Sequence, residues 1–268
     1  MPTKSRSYDP VKVRAALTGQ VEALRETVRG LTEDQLARPT RLGDWRVREL
    51  VSHLGMVITW VPAHLDDPLP ARPPITPLDW ARSTRTAAAT INEIAEELAA
   101  SPFAGTPNEV AAEFDRCCAE LVAALPAAEQ PGRLIAMRFG PMPLADFLVT
   151  RLVETVVHAD DLAAALGPAP FPHDRQAVAA VSRLLADAFA DRTPGGAVEL
   201  RIPPYAVVQA VEGPRHTRGT PPNVVETDPL TWIRLATGRT GWAAAVESAA
   251  VSASGERSDL SGYLPVLA

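Results

Sequence analysis

The chain has 268 residues, 46% of them hydrophobic and 22% charged, which is enough apolar material for a sizeable core and enough length for two domains. A formal charge of −6 and a pI near 5.4, with no cluster of Lys or Arg, exclude the basic stripe that nucleic-acid binding requires. No stretch reaches the roughly 18 uninterrupted apolar residues of a membrane-spanning helix, and the opening MPTKSRSYDP has no apolar run for a signal peptide. The protein is therefore expected in the cytoplasm, with neither nucleic acid nor membrane as a partner.

Taken in order, Val13, Leu17, Val21, Leu24 and Val28 recur at helical spacing before Gly30 and predict a first amphipathic helix. The connection LTEDQLARPTRLGDW carries two breakers, Pro39 and Gly43, and ends on Asp44, whose side chain is suited to cap a second helix over 45–61. Val47, Leu50, Val51, Leu54, Ile58 and Val61 give that helix a broad apolar face, with His53 at its edge beside Val57 and Trp60. A lone histidine there reads either as a satisfied core residue or as a ligand. His64, about 16 Å further along the helix at about 1.5 Å per residue, cannot share a metal with it.

The proline-rich stretch PAHLDDPLPARPPITP, 62–77, reads as a wall of a site or as a stiff surface loop. A third helix is expected over 78–100. A fourth opens on the capping box Thr106-Pro107-Asn108-Glu109 and runs to Leu125. The adjacent Cys117 and Cys118 lie inside it and cannot staple distant segments, so they read as reduced core residues. RLIAMRFG, 133–140, reads as extended and leads into the longest helical pattern, 143–167.

In that helix Leu148, Val149, Leu152, Val153 and Val156 form one stripe. Phe147, Arg151, Glu154, His158 and Asp161 line up on the other side, where Glu154 and His158 stand one turn apart. That is metal-ligand spacing, and it is also the spacing of an ordinary solvated ion pair. After Gly167 the composition changes. A helix over 174–192 is followed by AVELRIPP, AVVQAVEG and VSASG, short valine-rich runs expected as strands, and by a helix capped by Thr227 or Asp228 that ends near Gly238. This reads as a small α+β domain. No internal repeat, glycine-rich phosphate loop or G-x-S-x-G elbow occurs.

Two segments carry a family likeness. GDWRVRELVSHLG and RLVETVVHADDLAAALG resemble the paired signatures, Trp then His-Leu and Glu-x3-His-x2-Asp-Leu before Gly, of the DinB-like mycothiol-dependent proteins related to maleylpyruvate isomerase. The ending, DPLTWIRLATGR with VSASGERSDLSGYLPV, is similar to bacterial sterol-carrier-type domains. The resemblance implies an α + (α+β) fold: a DinB-like four-helix bundle over 1–168 and a sterol-carrier-like domain over 169–268. It also implies one divalent metal, usually zinc, on His53, Glu154 and His158, with mycothiol as co-substrate. Arg239 resembles a family arginine that faces the site and binds a substrate carboxylate; its alternative role is to stabilise the last carbonyls of a helix. Asp161 is placed to hold a ligand or to complete a polar face, Trp45 reads as a core anchor and Arg151 as a surface charge.

Two histidines and a carboxylate leave a metal with an open position, in which an entering thiol is deprotonated without help from a protein cysteine. The thiolate then attacks an electrophilic carbon, either leaving again after isomerisation or staying as an S-conjugate; hydrolysis is a third use of such a site. Two other classes of function stay open at this point: an apolar-ligand carrier built on the C-terminal domain, and a metal-binding protein without turnover. The substrate and the oligomeric state are not legible in the sequence.

Overall fold

The computed structural model describes residues 6–84, 102–137, 140–215, 217, 219 and 221–267, and packing divides these into two compact units. The first holds residues 8–76 and 102–177, and the second holds 6–7, 77–84 and 178–267.

The first unit begins with α1, Pro10–Arg29, whose first turn is capped by Asp9: its Oδ1 accepts from the N–H groups of Val11 at 2.9 Å and Lys12 at 3.3 Å. A one-turn helix α2, Glu33–Leu36, leads into a tight loop where Pro39 and Arg46 form an antiparallel bridge and the Thr40 N–H donates to the Trp45 carbonyl at 2.9 Å. This closure consumes Asp44 and Trp45, so α3 starts later than the spacing suggested and spans Val47–His64. Its first turn is served from inside the helix, by Glu49 accepting the Arg46 N–H at 2.9 Å, and not by Asp44.

Beyond α4, Pro77–Ser83, the expected third helix runs into residues 85–101, which lie outside the described residues. Helix α5, Pro107–Ala124, opens on the expected capping box, with the Thr106 N–H on Glu109 Oε2 at 2.8 Å and the Glu109 N–H on Thr106 Oγ1 at 3.4 Å. Of the segment read as extended, Leu134–Ile135 forms a short strand β1 that pairs with β2, Met142–Pro143. The long helix α6, Leu144–Leu166, follows, and Gly167 ends it at φ 145°.

Helices α1, α5, α3 and α6 pack in that cyclic order, each against the next, which closes a four-helix bundle. Its interior is filled by Leu17, Leu24, Leu50, Leu54, Ile58, Phe114, Leu121, Phe147, Leu148 and Leu152, all at most 1% exposed. Each such side chain contributes about 1.5–3 kcal/mol of burial. Both sides of α6 are covered, since Phe147 and Asp161 on the polar-looking side are as buried as the apolar stripe.

Asp174 caps α7, Arg175–Arg192, through the N–H groups of Gln176 and Ala177, and from residue 178 on the helix belongs to the second unit. A four-stranded sheet follows, built from β3, Val198–Ile202, β4, Ala206–Ala210, β5, Val224–Thr227, and β6, Val251–Ser254, in the order β4-β3-β5-β6. Strand β5 is an addition to the expected set: VVET pairs parallel to β3, with Leu200 opposite Val225, and antiparallel to β6. Helix α8, Pro229–Ala236, is capped by Asp228, while Thr227 instead donates to the Ala250 carbonyl at 2.9 Å. The rings of Phe189 on α7 and Trp232 on α8 meet edge to face at 5.7 Å. A short helix α9, Trp242–Glu247, leads into β6.

Helix α4 belongs to this unit and not to the bundle, because Arg82 reaches Asp191 on α7 at 2.5 Å. Leu78, Ala81, Ala188 and Val266 line a cavity of about 150 Å³ beside that ion pair. Ligand pockets usually span about 300–1,000 Å³, so this one is too small for a sterol. Among the described residues no helix is long and apolar enough to cross a membrane.

Candidate metal centre

Packing of α3 against α6 brings His53 of the first helix to Glu154 and His158 of the second. One ligand atom from each lies within 4.8 Å of the other two. Glu154 Oε2 stands 3.7 Å from His53 Nε2 and 3.4 Å from His158 Nε2, and the imidazole rings meet nearly edge to face at 4.7 Å. Tetrahedral bonds of about 2.0–2.1 Å set neighbouring donors about 3.3 Å apart, so the two pairs that include Glu154 need to close by only a few tenths of an ångström.

His53 is 3% exposed, fully inside, although periodicity placed it at the edge of the apolar face. The cover comes from Trp45, whose ring centroid lies 5.2 Å from that of His53 and which sits on the loop before the helix, outside its periodic pattern. Neither ring nitrogen of His53 has a hydrogen-bond partner. A buried imidazole without hydrogen bonds costs roughly 1–3 kcal/mol, and ligation of a metal through one of its nitrogens would offset part of that cost.

His158 is anchored differently. Its Nδ1 is 2.9 Å from Oδ2 of Asp161, a fully buried carboxylate, which leaves Nε2 toward Glu154. Asp161 also accepts from Arg41 Nε at 2.5 Å, and the same guanidinium donates through Nη2 to Asp160 at 2.5 Å. Asp161 thus links His158 to Arg41 through its two oxygens. Arg41 and Asp160 are neighbours of the triad that spacing alone did not reveal; the only signal was the doubled acid in HADD, which asks for a cation from elsewhere.

Burial pushes the His53 imidazole below its ordinary range, which favours the neutral ring with one nitrogen lone pair available. Burial works against ionisation of Glu154 as well, but the adjacent imidazoles, chiefly His158, outweigh it and hold the carboxyl well below its usual range. For His158 burial again opposes charge, and Asp161 and Glu154 together overcome it and raise the imidazole. Arg151 is half-buried and not a surface charge: its guanidinium lies over the Phe147 ring at 4.6 Å, and Nε donates to Thr150 Oγ1 at 3.2 Å.

Residues 17–163 match the family model described as the mycothiol maleylpyruvate isomerase N-terminal domain. The chain belongs to that family. Residues 174–266 match a second model, described as bacterial SCP ortholog. Two solved structures, one of a mycothiol-dependent maleylpyruvate isomerase and one of a histidine-to-alanine mutant of it, share the fold, with TM-scores of 0.61 and 0.60. Both are 15% identical to the chain, and each match covers 94% of this chain and 95% of the other. No curated protein matches the sequence.

His53, Glu154 and His158 form a group that could hold a metal ion. Arg239 lies in the second unit, half-buried, where its guanidinium donates to the Thr237 carbonyl at 2.7 Å at the end of α8.

Proposed function

We propose that the protein is a mycothiol-dependent metalloenzyme, an S-transferase or a cis-trans isomerase, that uses zinc on His53, Glu154 and His158 against an electrophilic small molecule. The observation that carries this reading is the meeting of two imidazoles and one carboxylate with the His53 nitrogens buried and unpartnered, in a chain of that family. A divalent cation held there supplies an open position that lowers the pKa of an entering thiol.

The chain's own residues set the conditions. Cys117 and Cys118 cannot act as the nucleophile, because burial pushes both thiols up to about 12 and leaves them protonated. Asp161 keeps the proton of His158 on Nδ1, so that Nε2 offers a lone pair beside Glu154. Trp45 covers the His53 ring and limits the approach of water from that side. On the strength of the resemblance the proposal extends to Arg239, in the domain over 169–268, as the group that holds a substrate carboxylate in its planar fork. The cytoplasmic location belongs to the same reading, since low-molecular-weight thiols serve reducing compartments.

The test is metal analysis of the purified protein together with calorimetric titration of mycothiol, on wild type and on His158→Ala. One equivalent of metal and metal-dependent thiol binding, both lost in the variant, is the expected result. Absence of metal, or metal without thiol affinity, overturns the reading. Among electrophiles that turn over, consumption of mycothiol one for one identifies an S-transferase, and its full recovery an isomerase.

A further inference from the structure

The loop between α2 and α3 touches His53 directly and reaches His158 through Asp161. It is closed by the Pro39–Arg46 bridge, by the Val47 N–H on the Arg38 carbonyl at 2.9 Å, and by Thr40 Oγ1, which donates to the Trp45 carbonyl at 2.7 Å. Within this frame Trp45 lies against His53, and Arg41 reaches the C-terminal half of α6, about 120 residues away in sequence.

The guanidinium of Arg41 spans two consecutive carboxylates. Nε binds Asp161, whose side chain is 0% exposed, and Nη2 binds Asp160, whose side chain is 8% exposed. One cation thereby compensates two buried anions and fixes the plane of Asp161, whose second oxygen faces Nδ1 of His158. A lysine offers one point charge and cannot hold both carboxylates in that planar fork.

We propose that Arg41 is a positioning residue of the metal centre: acting through Asp161, it sets the tautomer and the ring orientation of His158 so that Nε2 is presented for ligation. Asp160 is the second anchor of the fork, holding the guanidinium in the one orientation that serves Asp161. The loop over 39–46 is the element that aligns the two ligand-bearing helices at the site, with Trp45 on one histidine and Arg41 behind the other. This inference rests on the proposed metal reading.

The experiment compares wild type with Arg41→Gln and Arg41→Lys. Zinc affinity is measured by competition with a chelator, and the histidine tautomers of the metal-free protein by nitrogen NMR of 15N-histidine-labelled chain. Loss of groups that orient a ligand typically weakens metal binding about 10–100-fold, which is the expectation for Arg41→Gln. Arg41→Lys is expected to recover part of that loss. In the metal-free wild type His158 should carry its proton on Nδ1, and in Arg41→Gln that preference should weaken while the circular dichroism of the bundle is retained.

Zinc affinity within twofold of wild type in both variants, or an unchanged His158 tautomer in Arg41→Gln, overturns the proposal and leaves Arg41 as a loop fastener. Should Arg41→Gln fail to fold, Arg41→Lys decides alone: weaker zinc binding supports the proposal and wild-type affinity overturns it. A wild-type protein that binds no zinc is a different failure, which removes the metal reading and this inference with it.

Discussion

The two units bury their polar groups in different ways. In the second, although Ser182 Oγ and Trp232 Nε1 make no hydrogen bond, several buried side chains close on backbone: Asn223 donates to the Ala197 carbonyl at 2.8 Å and accepts the Arg257 N–H at 3.0 Å. Thr193 and Thr237 donate to carbonyls one turn back, at 2.6 and 2.7 Å. In the bundle, His53, Glu154 and His158 face one another, and the His53 nitrogens make no hydrogen bond. Polar groups that satisfy the backbone hold a fold, whereas polar groups turned toward a common point at some cost in stability mark a place kept for a ligand.

The largest effect that would break this contrast is at His53. Replacing it as His53→Leu should take bound metal from one equivalent to none, while the metal-free protein stays as stable or gains about 1 kcal/mol, because two unpartnered buried nitrogens are removed. Metal analysis and urea unfolding check the two halves, and a loss of more than about 3 kcal/mol would make His53 a structural residue like those of the second unit.

A second, graded effect comes from pH. His158 is raised above its ordinary value of about 6.5 by Asp161 and Glu154, and ligation needs its neutral form. Apparent zinc affinity should therefore fall about tenfold per pH unit below the folded pKa and level off above it. In the metal-free protein the same proton stabilises the fold fully below about 6.5, and that contribution fades as pH rises through the raised folded value. The increment in Tm on adding zinc should accordingly grow with pH across this window, and a flat increment would count against His158 as a ligand.

The smallest effect on the metal is expected at Asn223. Asn223→Ala should cost about 1–3 kcal/mol in unfolding experiments and leave metal stoichiometry untouched, since it strands a buried carbonyl far from any ligand group in sequence and in unit.

Much of the bundle was legible because its helices are long and periodic: α1, α5 with its capping box, and α6 fall close to where spacing put them. The pair Glu154 and His158 follows from i, i+4 geometry alone, and His53 joined it only through the family signature. What spacing could not carry was cover arriving from loops. Trp45 buries His53, and Arg41 reaches Asp160 and Asp161, across separations that no local pattern encodes. Strand β5 escaped for a related reason: it is four residues long, and its pairing with β3 is parallel, so no hairpin turn announces it. Asp44 looked like a cap and is not one, because the bridge between Pro39 and Arg46 delays the start of α3.

The proposed ligand set is split along the chain, with His53 about a hundred residues ahead of Glu154. An unfolded chain has no means of gathering all three, so a cation that occupies the centre binds the native state nearly alone. Stabilisation then follows mass action without discount, about 2.7 kcal/mol at a hundredfold excess over Kd. Copies made when metal is scarce would open more often and meet cellular proteases first. Abundance of this protein would thus track metal supply, with the centre serving as its own quality control.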